Sequence, residues 1–205
     1  MSIFREKAGG NGGDGQELPS HRFTKDLERA QTLAVMLAKS RASAAVEVAD
    51  FLAGMYMYDW ERLSKYWDDT DEIEGYLQQV CQISPQRWHR WIECYDGERQ
   101  TGHKRGPLRL RQPLRFLRPP KIVKGGPARV EPSLELQAVL RRAGELAPFR
   151  DTSEGRAIPI LTSECVLLAI VQCPQSDAGR RLFLSGLDVL ALEKEALRPR
   201  HAPRH

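Results

Sequence analysis

Apolar residues recur at helical spacing along two stretches of the chain, with an aperiodic stretch between them. In the first stretch Leu27, Ala30, Ala34, Leu37 and Ala38 share one face of a helix. Thr24 is placed to cap that helix, with Asp26 in its favourable first turn. Residues 42–45 break the pattern. Val46, Val48, Phe51, Leu52, Met55 and Tyr56 predict a second, strongly apolar helix, and Trp60, Leu63, Tyr66 and Trp67 predict a short third one. Ile73, Tyr76, Leu77 and Val80 form the inner face of a fourth, capped by Thr70, with Asp71 and Glu72 at its positive end. Ser84-Pro85 then offers a capping hydroxyl followed by proline at the first helical position. Trp88, Trp91, Ile92 and Tyr95 follow at i, i+3, i+4 and i+7, in a helix predicted to end near Gly97.

From 97 to 130 no period holds, and five glycines and five prolines predict an extended loop. The helical pattern resumes at Pro132. Leu136, Val139, Leu140, Ala143, Leu146 and Ala147 share one face. Thr162 or Ser163 caps a helix carrying Val166, Leu167, Ala169 and Ile170. Ser176 or Asp177 starts a shorter helix with Leu182 and Phe183, ended by Gly186. Val189, Leu192 and Leu197 mark a last one.

The two helical stretches share one order. Each begins with a long Ala/Leu helix, LERAQTLAVMLA and then LQAVLRRAGELA. Each continues through a variable loop into an apolar helix, VEVADFLAGMY and then IPILTSECVLLAIV. Each closes with a short helix and a further one. The spacing of about 110 residues marks an internal repeat interrupted by an insert. A four-helix unit of about 60 residues is marginal alone, and two would bury their faces against each other. The expected fold is therefore all-α, with two four-helix repeats in pseudo-two-fold arrangement and a long basic loop and an extra helix between them. Its parts are a disordered Gly-rich tail (1–22), repeat 1 (23–83), an insert (84–131), repeat 2 (132–197) and a basic tail (198–205).

The second repeat resembles the Clp N-terminal domain, the Clp repeat found at the front of Hsp100 unfoldases. The residues that carry the likeness are Leu140 to Ala147, Ile160-Leu161-Thr162-Ser163-Glu164 and Leu167-Leu168-Ala169-Ile170. Ala178-Gly179-Arg180-Arg181-Leu182, Gly186-Leu187-Asp188 and Leu192 extend it. The first repeat is similar through Phe23-Thr24, Ala30 to Ala38, Val46 and Phe51-Leu52. It lacks Gly-Thr-Glu-His before its second helix and the glycine before its fourth. The resemblance implies a recognition module that binds adaptors, substrates or Clp-type chaperone and protease components and performs no chemistry. No G-x-x-x-x-G-K-[ST] occurs, so an ATPase motor on this chain is not expected.

Charge changes the picture. The net charge is +4, but residues 97–130 hold ten Lys/Arg against Glu98 alone, leaving the remainder acidic at −5. Nine acids lie between Glu47 and Glu74, against Arg62 and Lys65. The basic segment, with Arg109, Arg111, Arg115 and Arg118 at its centre, has three readings. It is a solvated linker, a phosphate-binding strip with Phe116 as its one aromatic, or an arm docking on an acidic protein surface, its own included. Opposed fields within one chain favour protein contact, and a nucleic-acid-associated regulatory protein is the alternative function.

Candidate chemistry is sparse. Trp88 and Trp91, beside Arg87 and Arg90, are candidate partner anchors, although tryptophans at helical spacing more commonly pack a core. Cys81, His89, Cys94 and His103 match no common zinc spacing. Cys165 falls near a helix start, where thiolate is favoured, but the pattern makes it a packing position. No nucleophile–base set, cofactor motif or metal site is expected. No apolar run approaches the roughly 18–20 residues of a membrane span, and Met1 to Pro19 lacks an apolar signal core. A cytoplasmic protein with reduced cysteines and no membrane partner is the expectation.

Overall fold

The structure, a computed structural model, describes residues 21–101, 130–148, 150–151, 157–173 and 175–198, with side chains through Glu93 in the first of these stretches. It is mostly helical, with nine α-helices among the described residues. These are α1 (Lys25–Ser40), α2 (Val48–Tyr58), α3 (Trp60–Leu63), α4 (Asp71–Cys81) and α5 (Pro85–Thr101). After the segment outside the described residues come α6 (Leu134–Leu146), α7 (Ser163–Val171), α8 (Asp177–Leu184) and α9 (Val189–Ala196). A 3-10 turn, Ser64–Tyr66, extends α3. Five short strands join them: β1 (Arg22–Phe23), β2 (Ala45–Val46), β3 (Glu131–Pro132), β4 (Arg150–Asp151) and β5 (Ile158–Leu161).

Helix starts follow local side-chain chemistry, with some shifts from the sequence reading. Ser133, Thr162, Ser176 and Asp188 each accept an amide N–H of the helix they precede, from Leu136, Cys165, Gly179 and Ala191. Thr162 and Ser176, not Ser163 and Asp177, are therefore the caps. Thr24 and Thr70 occupy cap positions without a side-chain cap bond. At α4 the Asp69 carboxylate accepts the Asp71 amide instead, at 2.9 Å. Val46 lies in β2, and α2 is opened by a capping box of Glu47 and Asp50. Helix α5 continues to Thr101, past the expected end near Gly97. The breaks after α1 and α4 use left-handed Ala42 and Gln82, so no glycine signalled them.

The strands were not anticipated, and they shift two boundaries. Arg22, assigned to the tail, and Glu131, assigned to the insert, both lie in strands. Their pairing is reciprocal. β1, which leads into α1, runs parallel to β5, which leads into α7. β3, which leads into α6, runs parallel to β2, which leads into α2. The closing bonds correspond as well: Thr24 N–H donates to the Leu161 carbonyl at 3.1 Å, and Ser133 N–H to the Val46 carbonyl at 3.0 Å. In each case the residue at a helix N-cap donates to the residue just before the N-cap of an apolar helix. β4 adds an antiparallel partner to β5.

One hydrophobic core runs through both helical stretches. Every residue of α2 is buried, as are residues 163–170 of α7. α2 packs on α1, α4 and α5 and also meets α6, α7 and α8. Tyr56 is an aromatic hub, with ring centroids 4.9 Å from Trp60, 6.0 Å from Trp67 and 5.9 Å from Trp88. Helices α1 and α2 approach closely because α2 carries Gly54. A Cβ there would meet the Ala30 carbonyl oxygen at 2.3 Å and the Ala34 nitrogen at 3.1 Å, both backbone atoms.

That contact reverses the usual effect of a helical alanine. Gly75 in α4 has nothing within 4 Å of a built Cβ, so Gly75→Ala should gain up to about 1 kcal/mol of stability. Gly54→Ala should instead lose about 1–3 kcal/mol by forcing two backbones apart. Urea denaturation of the two variants checks the opposed signs, and a Gly54→Ala variant that gains stability as Gly75→Ala does would contradict this packing.

Candidate functional site

Three polar centres are built into the interior. Asp50 on α2 is fully buried and takes both arms of Arg41, with Nη2 donating to Oδ2 at 2.9 Å, while the Glu47 amide donates to the same oxygen at 3.0 Å. Glu164 at the start of α7 is buried and receives a two-pronged hydrogen bond from Arg62, at the end of α3. Asp59 adds a second carboxylate 3.5 Å from Arg62. Burial works against the Arg62 charge, and the Glu164 carboxylate outweighs it, so the guanidinium pKa is raised. On the other side of α2 the Tyr56 hydroxyl donates to Glu74 Oε1 at 3.1 Å, and His89 Nδ1 lies 3.8 Å from Glu74 Oε2. Each carboxylate has protein partners that fix its helix in place.

The surface carries a different feature where α8 turns into α9. Phe183, Leu184 and Leu190 are 68%, 59% and 79% exposed, around the connection that holds buried Ser185 and Leu187. The preceding half of the chain borders this corner. The Trp67 indole N–H donates to Ser185 Oγ at 2.9 Å, and the Asp188 amide donates to the Tyr66 carbonyl at 2.8 Å. Further along, the Arg181 guanidinium lies 5.8 Å from the Tyr76 ring centroid. Burial, then the Asp177 carboxylate, push the Tyr76 phenol pKa up. These contacts set α4 and α8 side by side and antiparallel. Asp68, Asp69, Asp71 and Glu72, which lead into and open α4, are exposed, as are Arg180 and Arg181 in α8. The corner thus exposes three large apolar side chains, Phe183, Leu184 and Leu190. Natural monomers rarely leave large contiguous apolar patches uncovered, and those they expose commonly mark contact sites.

The sequence-derived site residues fall elsewhere. Trp88 and Trp91 are 0% and 2% exposed and belong to the core. As surface anchors they are corrected by this packing: Trp88 stacks toward Tyr56, and the Arg87 guanidinium lies 5.2 Å from the Trp91 ring centroid. Arg109, Arg111, Arg115 and Arg118 lie outside the described residues, as do His103 and the Cys94 side chain. Cys81 is buried, and burial followed by the nearby Asp50 charge pushes its thiol up to about 12, so it stays protonated at neutral pH. Cys165 is fully buried, with the Thr162 hydroxyl donating to Sγ at 3.3 Å. No group of three metal-ligating side chains forms among the described residues. No described helix is long and apolar enough to cross a membrane.

Periodicity held the signal for the corner. In α8 the inner face is set by Ala178, Gly179 and Leu182, and both Phe183 and Leu184 fall off it. In α9 the inner face is set by Leu192 and Ala196, and Leu190 falls outside it. Phe183 and Leu182 are both apolar but do not share a face. No model of a known protein family matches the chain, and no curated protein matches it.

Glu74 generates a pH prediction. Burial is the largest influence on its carboxyl and holds its pKa above the ordinary 4.5, while Tyr56 and His89 pull the other way. A raised folded pKa means that the folded chain binds this proton more readily than the unfolded chain. Its contribution therefore declines as pH rises from the ordinary glutamate value through the raised one, and the loss persists at neutral pH. Glu74→Gln keeps an acceptor for Tyr56 and removes the charge. It should raise the Tm at pH 7, with the gain vanishing toward pH 4. Thermal unfolding of both proteins at a series of pH values checks this, and a variant less stable at pH 7 would contradict it.

Proposed function

We propose that the chain is a non-enzymatic protein-interaction module of the Clp N-terminal type. In this reading α1–α4 and α6–α9 are two four-helix repeats about a pseudo-two-fold axis, with α5 and the basic segment inserted between them. The module binds an adaptor, a substrate or a Clp-type unfoldase or protease component in the cytoplasm, without cofactor or membrane. The observation that carries the binding reading is the exposure of Phe183, Leu184 and Leu190 at the α8–α9 corner. The reciprocal pairing of β1 with β5 and β3 with β2 supports the repeat reading, because each half supplies the other with the same bond at the same place. The residue pattern from Leu140 to Leu192 supports the kinship.

Size-exclusion co-elution with purified Clp-type unfoldase and protease subunits tests the proposal. Complex formation is expected, lost in Phe183→Ser/Leu190→Ser and retained when residues 97–130 are replaced by a Gly/Ser linker. Absence of co-elution with any such component would overturn it. A salt-dependent shift of a random duplex or single strand, abolished by the same replacement, would move the assignment to the nucleic-acid alternative.

A further inference from the structure

We infer that the outer face of α9 is the seam of a parallel, two-fold dimer of this chain. The helix is held firmly from within. Leu192 and Ala196 are buried and seat it on α7, where the Cys165 thiol donates to the Ala196 carbonyl oxygen at 3.6 Å. The Asp188 carboxylate caps its start, accepting the Ala191 amide at 2.9 Å. The Leu197 amide continues its last turn by donating to the Glu193 carbonyl at 3.0 Å. Leu190 and Leu197 lie on the other side, 79% and 42% exposed. They stand seven residues apart, and an α-helix sets such residues on one line, within about 20° of each other. The face is therefore a rigid leucine stripe turned toward solvent.

Charge names the occupant and its direction. Glu193 and Lys194, both exposed, follow Leu190 at i+3 and i+4. At that spacing they fall on opposite flanks of the stripe, midway between the two leucines. Half-buried Glu195 pairs with Arg198 at 3.7 Å, whereas Glu193 and Lys194 form no ion pair among the described residues. A two-fold axis parallel to the helix sets Leu190 against Leu190 of a second copy, and Leu197 against Leu197. It also exchanges the flanks, so that Glu193 of each copy faces Lys194 of the other. An antiparallel pairing keeps each flank on its own side and sets Glu193 against Glu193 and Lys194 against Lys194. The face is thus self-complementary in the parallel arrangement and self-repelling in the antiparallel one. Two helical turns on each side bury less than the roughly 1,200 Å² of a standard stable interface. The dimer is therefore weak and reversible, and forms as concentration rises. The pairing calls on no residue of α8 and does not rest on kinship to Clp modules.

Sedimentation equilibrium of the full-length chain at low ionic strength tests the seam, over concentrations from about 1 μM to about 1 mM. The native chain should pass from monomer to dimer across this range. Leu190→Ser should dimerise at least about tenfold more weakly, because each dimer loses two buried leucines. Glu193→Lys and Lys194→Glu should each weaken the dimer by setting like charges face to face. Mixed in equal amounts, these two variants should associate with each other, and the exchange Glu193→Lys/Lys194→Glu should restore self-association. All of these replace exposed side chains, and circular dichroism checks that each variant is folded. A native chain that stays monomeric throughout would overturn the inference. A dimer unchanged by Leu190→Ser would overturn it by placing the contact elsewhere. Single charge variants that pair as well as the native chain would overturn the parallel arrangement. The measurement uses one purified protein, and the charge variants leave Phe183 and Leu184 intact. Dimerisation without co-elution therefore leaves this inference standing and removes the proposed Clp partner, while co-elution of a strictly monomeric chain does the reverse.

Discussion

Two helices that are buried on every side set the terms for the whole molecule. A surface helix needs cover on one stripe, but α2 and the body of α7 need it all round. Neither half of the chain has enough helices to provide that alone. α2 takes α1, α4 and α5 from its own side and α6, α7 and α8 from the other. Close cover also requires small residues at the crossings. Gly54 lets α1 approach α2, and Gly179 plays the same part in the later half, where a Cβ would meet the Ile170 carbonyl oxygen at 2.4 Å. One shared core is the consequence.

The polar interior serves that constraint. A buried carboxylate with one satisfied arrangement penalises every other arrangement, since its desolvation is uncompensated elsewhere. Glu164 finds Arg62 only when α3 and α7 are correctly placed. Asp50 finds Arg41 and the Glu47 amide only when α1 and α2 are. The strand pairs add direction: each helical half begins with its chain tied to the loop of the other. Packing gives these contacts their strength, and the ions and strands give them their register.

Much of this was legible from residue spacing. The faces of α1 and α6 and the existence of α2, α4, α7 and α9 follow from apolar positions at helical intervals. What was not legible has physical causes. The strands are two to four residues long, too short for alternation to show, and they form only because the other half is present. The break after α1 falls at Ala42, within residues 42–45 where the pattern lapses, but α4 ends at Gln82, a residue that carries no turn signal. Thr24 and Thr70 have the chemistry of caps, but their hydroxyls are not aimed at the helix. At the candidate site the sequence pointed to Trp88 and Trp91, which the core absorbs. The exposed corner was hidden because Phe183 and Leu184 sit next to a true core leucine, and only their angular position separates them from it.

A surface of this kind is useful when what lies beneath it is rigid. The corner is held by Trp67 on Ser185 and by the Tyr66 carbonyl on the Asp188 amide, both reaching from the other half. Its shape therefore depends on the two halves forming one cooperative body. Native-state hydrogen exchange tests that dependence most directly, through the amides of Thr24 and Ser133, which close the two reciprocal strand pairs. Under conditions where exchange reports opening free energy, both amides should exchange together with the core amides of α2 and α7, at the free energy of global unfolding. If the amides of one half exchanged at markedly lower free energy than those of the other, the halves would be separate units and the account would fail.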